Sequence, residues 1–309
     1  MNTYLKYQSP AIQFFSFLGL ASGFFILNII ISTYFFSDLS AVLINRNAPI
    51  SSYMINQFKW AQLLGATVSF ILPAVLFGYF SSPKALPYVG IQKTISAILL
   101  LLSVVLLVFI QPFVGWTGNL NSKLNFGSMQ KTLQDAEAVY TRALEVFLQM
   151  KTPSDLFINL FIMALLPAIG EELFFRGALQ KVLLRFSNKP WLSILVSSGI
   201  FALLHGTFFK IIPIFALGIL LGTVYYFTRN LWYTITIHFL NNALAVLAVY
   251  FSSRSLTIHK FANDNFIVPF YFAIVSLLAV VSIMYFIKKK SDEVLPEVVT
   301  NEDNDYLAR

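Results

Sequence analysis

Residues 94–115, TISAILLLLSVVLLVFIQPFVG, run without a single ionisable side chain. A helix of ~20 apolar residues is what the ~30 Å hydrocarbon core of a bilayer demands, and this stretch meets that length. Comparable runs occur at 11–36, 60–82, 155–178, 190–205, 211–228, 231–251 and 266–287. Inside lipid each backbone N–H and C=O must find its partner within the segment, so runs of this kind fold as helices. The expected fold is therefore all-α: a polytopic membrane helix bundle of about eight transmembrane helices. Composition agrees, with 57% hydrophobic and only 11% charged residues, where a soluble domain has roughly 25% charged.

The connections carry the remaining information. The first run, 11–36, is longer than the ~7–15-residue core of a signal peptide and has no small-residue cleavage site, which predicts a retained span. A polar stretch at 37–59 holds Asp38 and Arg46, and SSPKALPYVGIQK (81–93) has the proline and glycine of a turn region. Residues 116–154 form the longest polar stretch. Within it Leu133, Ala136, Val139, Tyr140, Ala143, Leu144, Phe147 and Met150 recur every three or four positions, which predicts one amphipathic helix within 125–150, lying in the interface or acting as a lid. The tail 291–309 is acidic and aperiodic, so disorder is expected there.

This gives an N-terminal scaffold (1–154), a membrane core (155–251), a C-terminal span (252–290) and the tail. Eight spans put both termini on one side. Lys6, Lys84, Lys93, Lys181, Arg185, Lys189, Arg229 and Lys288–Lys290 then gather on that side, which the positive-inside rule makes cytoplasmic. A multi-pass plasma (bacterial inner) membrane protein is expected. The net charge of +7 is spread over loops facing lipid headgroups, without the basic, aromatic-interleaved stripe of a nucleic-acid binder. The absence of cysteine excludes disulfides, thiolate zinc sites and a thiol nucleophile.

One apolar run breaks the rule that spans avoid charge. FIMALLPAIGEELFFRGAL (161–179) contains Glu171, Glu172 and Arg176. A charge near the bilayer centre costs at least ~2.5–3.5 kcal/mol on insertion scales, so such groups face a protein interior and act there. Glu172 and Arg176 are four apart in the acid-before-base order that favours an ion pair. Glu171 is turned ~100° away, which leaves an unpaired carboxylate with the surroundings of a general base. Pro167 and Gly170 precede it, either loosening the helix or packing against a neighbour. His205 ends ILVSSGIFALLHG, and His238 stands one turn before Asn242 in LWYTITIHFLNNALAVLAVYF. The third histidine, His259, lies in a polar loop and is expected to be a solvated bystander.

EELFFRG, FALLH and HFLNN, in that order, resemble the EExxxR, FxxxH and HxxxN series of the CPBP intramembrane proteases, over roughly residues 155–251. That family includes CAAX prenyl endopeptidases and bacteriocin-processing or immunity proteins. The resemblance implies an intramembrane endopeptidase acting on a membrane-associated peptide or protein. Its implied roles match the chemistry of the residues: Glu171 as base, His205 as water-positioning partner, His238 and Asn242 as oxyanion donors, with Glu172 and Arg176 in support. A metalloprotease version would bind zinc through His205, His238 and Glu171. No HExxH is present and asparagine is a poor zinc ligand, so no cofactor is favoured. The competing classes are a proton-coupled transporter and a non-proteolytic scaffold or immunity factor. The lack of internal repeats argues against the first, and retention of every polar motif residue argues against the second.

Overall fold

A computed structural model describes residues 4–37, 39, 43, 50–252 and 267–294. Arg46, His259 and the tail beyond 294 lie outside the described residues. Among those described the chain is all helix, with seven helices long and apolar enough to cross a membrane. They are α1 (Pro10–Phe35), α2 (Ser52–Ser81), α3 (Ala97–Asn121), α5 (Pro153–Ser187), α7 (Ile211–Thr228), α8 (Leu231–Ser252) and α9 (Phe270–Val294). The amphipathic helix is α4 (Gln130–Phe147). The remaining helix, α6 (Pro190–Leu204), departs from the expected count of eight full spans. It is apolar but has 15 residues, or about 22 Å at 1.5 Å per residue, short of a full crossing.

Local chemistry sets the helix ends. Ser9 caps α1, its hydroxyl accepting from the Ile12 N–H, with Pro10 in the first turn. A capping box opens α5: the Thr152 N–H donates to Asp155 at 2.9 Å and the Asp155 N–H donates to Thr152 at 3.2 Å. At the other end Asn188 adopts a left-handed conformation (φ 55°), and Pro190 follows two residues later. The 155–178 span is therefore longer than hydropathy indicated, because its basic end stays helical. Lys181 is buried, with its Nζ 2.5 Å from the Tyr88 carbonyl and 3.7 Å from the centre of the Tyr88 ring. Arg185 donates to Gln13 of α1. Likewise α9 continues through Lys288–Lys290, and Lys290 pairs with Glu293 at 2.6 Å.

Two apolar clusters organise the bundle. One joins α1, α2 and α5 through Phe17, Phe77, Phe174 and Phe175. The other joins α3, α7, α8 and α9 through Leu106, Ile110, Leu221, Ile237 and Val280. Glycines on α5 and α7 permit close approach. A Cβ on Gly177 would lie 2.4 Å from the Val89 carbonyl oxygen, and one on Gly218 would lie 2.9 Å from the Ser198 Cβ. Gly170 sits against Ile71 of α2, so helix packing accounts for it. In α4, Leu133, Val146 and Phe147 are buried while Ala136 and Val139 of the expected stripe are exposed. Its contacts therefore concentrate towards the ends, with the Phe147 ring meeting Phe58 of α2.

Candidate active site

The central helix α5 brings two acids and a base to one depth. Wide π-helical turns occupy Leu160–Leu165 and Leu173–Gln180 and bracket the short α-helical piece that ends in Glu171 and Glu172. From Glu171 to the end of α5 is about 24 Å along the axis, and from the start of α6 to His205 about 22 Å. The hairpin of α5 and α6 thus returns His205 to the level of Glu171. The shortness of α6 has a structural consequence: its C-terminal end stops at the depth of the carboxylates.

Arg176 and Glu172 are both buried, and the Arg176 Nη1 donates to Glu172 Oε1 at 2.8 Å. Its Nη2 donates to the Gly218 carbonyl at 3.1 Å. One turn on, the Gln180 amide donates to the Gly222 carbonyl at 2.9 Å, so α5 and α7 run side by side in register four residues at a time. The guanidinium lies 4.6 Å from the centre of the Phe201 ring, a cation–π contact. Two charges this deep are sustained by their mutual attraction and by the hydrogen bonds that satisfy the remaining protons.

Glu172 has a second partner that its spacing in the chain did not indicate. His238 Nδ1 lies 2.9 Å from the same Oε1. A carboxylate paired with arginine only accepts, so Nδ1 carries the hydrogen. This fixes the imidazole and turns Nε2 outward, where it stands 3.8 Å from Glu171 Oε2. That separation exceeds a direct hydrogen bond, and Oε2 is shielded from solvent without another hydrogen-bond partner. The order Arg176–Glu172–His238–Glu171 is thus continuous across α5 and α8.

His205 is held differently. Its Nδ1 lies 2.7 Å from the Phe201 carbonyl, which only accepts, so here too Nδ1–H donates and Nε2 is left as an acceptor. The Phe201 ring touches both imidazoles, with centroids 4.5 Å from His205 and 5.8 Å from His238. Phe201, the aromatic of the FALLH motif, is therefore the hub between the two imidazoles. Its place four residues before His205 was the signal for this in the sequence. The recorded imidazole contact of Glu171 is with His238, whereas His205 joins the group through Phe201. Asn242 lies one turn beyond His238, half-buried, and accepts a long hydrogen bond of 3.5 Å from the Asn241 amide on its Oδ1. Its own N–H groups are thereby directed away from that contact.

Among the described residues no three acids or histidines cluster closely enough to hold a metal ion. Glu171 and His238 stand 3.8 Å apart, and His205 does not join them closely enough to complete the three-ligand set expected for zinc.

Residues 153–244 match one protein family, described as type II CAAX prenyl endopeptidase Rce1-like. The matched segment runs from α5 into α8 and contains Glu171, Glu172, Arg176, His205, His238 and Asn242. No curated protein and no solved structure matches the chain.

Proposed function

We propose, supported by the match of residues 153–244 to the Rce1-like type II CAAX prenyl endopeptidases, that this membrane protein hydrolyses a peptide bond in a membrane-associated peptide or protein with a water activated by Glu171. The observation that carries the proposal is the approach of Glu171 Oε2 to a histidine whose orientation is fixed by a buried carboxylate. General bases work at hydrogen-bond reach or through one water, and a 3.8 Å separation, too long for a direct hydrogen bond, suits the second arrangement.

The chemistry balances as follows. Glu171 takes a proton from water, and the resulting hydroxide adds to the carbonyl carbon of the scissile bond. His205 offers only an acceptor at Nε2 and so suits the orientation of that water. The carbonyl oxygen becomes an oxyanion that needs donors. Asn242 supplies an amide N–H. His238 donates from Nε2 when that atom is protonated, since Nδ1–H is committed to Glu172. The proton held by Glu171 passes to the departing amine nitrogen as the C–N bond breaks.

The basic end of α5, with Lys181, Arg185 and Lys189, would face the cytoplasm of a plasma membrane, together with both termini. The test is mass spectrometry of membrane peptides from cells expressing the wild-type protein or Glu171→Gln. Fragments that appear only with the wild type are expected. Identical peptide populations from two equally expressed, folded proteins would refute the proposal.

A further inference from the structure

An open groove lies between α4 and the connection from α6 to α7, outside the group just described. It is lined by Gln134, Glu137, Ala138, Thr141 and Phe209, and Glu137 is the charged member. One wall is fixed to the catalytic helices. Thr207, two residues after His205 and buried, donates to Glu137 Oε2 at 2.6 Å. That connection is itself pinned: the Asn121 amide donates to the Phe208 carbonyl at 3.0 Å, and Asn121 Oδ1 accepts from the Ile212 N–H at 2.8 Å. The Phe209 ring packs on Phe126 at 5.6 Å.

The groove is also close to the reacting groups. Tyr140 is one turn along α4 from Glu137. Burial pushes its phenol above the ordinary range, and the Glu137 and Glu171 carboxylates add to the effect. Among the described residues no lysine or arginine is paired with Glu137, so its charge is answered only by a hydroxyl. A half-buried carboxylate in that state favours an incoming cation.

We infer that this groove is a substrate subsite, in which Glu137 selects a lysine or arginine side chain near the scissile bond. The inference rests on the proposed peptidase activity and adds a substrate class to it: membrane-associated segments with a basic residue beside the cleaved bond. The α4 helix would then act as one wall of the binding cleft.

The test uses the full-length protein in neutral phosphatidylcholine vesicles with a membrane-inserting peptide library. In the library each position near the cleaved bond is in turn Lys, Gln or Glu. One position should show a kcat/KM for Lys about fivefold above Gln, the upper end for a partly exposed ion pair, with Glu lower still. Glu137→Gln, which keeps an acceptor for Thr207, should collapse the Lys-to-Gln ratio towards one, and Glu137→Lys should invert it. Thr207→Val removes the hydrogen bond but leaves the charge, so the preference for Lys should survive. Glu171-dependent cleavage that is indifferent to charge at every position overturns the subsite and leaves the peptidase standing. So does loss of the preference in Thr207→Val alongside its retention in Glu137→Gln. No Glu171-dependent cleavage of any peptide in the library brings down both.

Discussion

Arg176→Ala should damage the folded protein more than any other single change in the candidate site. The side chain is 1% exposed, bonded to Glu172 and to the Gly218 carbonyl, and stacked over Phe201. Removing it leaves the Glu172 carboxylate in an apolar bundle with only the neutral donors His238 and Thr234, and takes from the Gly218 carbonyl its side-chain donor. Breaking a buried pair from one side costs about 3–5 kcal/mol, more than two powers of ten in the folded-to-unfolded ratio. Glu172→Gln is milder, since the amide oxygen can still accept from the guanidinium and no carboxylate is stranded. The assay is the thermal midpoint and monodisperse yield of both variants in the same detergent, with wild type alongside. Arg176→Ala should fall well below Glu172→Gln on both measures. Equal midpoints and yields would show that the pair does not hold α5 to its neighbours.

Exhaustive chelation should leave peptide cleavage largely intact, and His238→Asn should retain part of it, losing about 10²–10³ in rate as one oxyanion donor is weakened. Stoichiometric zinc in the purified protein, lost together with activity in His238→Asn, would establish the metal mechanism instead. Gly177→Ala should lower the thermal midpoint by an amount equivalent to about 1–3 kcal/mol, because its methyl would meet backbone, the Val89 carbonyl, at 2.4 Å. An unchanged midpoint would mean that this contact opens without resistance.

Much of the candidate site was legible along the chain because its parts are local. Glu172 and Arg176 are four apart, as are His238 and Asn242, and helical geometry alone puts each pair on one face. Three polar insertions in runs otherwise closed to charge marked α5, α6 and α8 before any contact was known. The bond between Glu172 and His238 could not be read that way. It joins residues 66 apart, and no periodicity relates positions on different helices. The same holds for Thr207 and Glu137, which are 70 apart and tie α4 to the candidate site.

Helix limits were misjudged where hydropathy and tertiary contact disagree. Lys181 and Arg185 resemble a loop to any hydropathy count, yet a carbonyl, an aromatic ring and Gln13 receive them inside the bundle. The sequence by itself determined that the chain spans a membrane as helices, because lipid leaves the backbone no other way to satisfy its hydrogen bonds. It also marked the few candidate site residues, since charge and imidazole stand out where everything else is apolar. Tertiary structure alone decided which acid orients His238 and which one stands 3.8 Å from its other nitrogen. Two adjacent glutamates are chemically identical until the turn of α5 aligns one of them with Arg176 and α8 brings His238 Nδ1 to the same carboxylate, while the other stands 3.8 Å from Nε2.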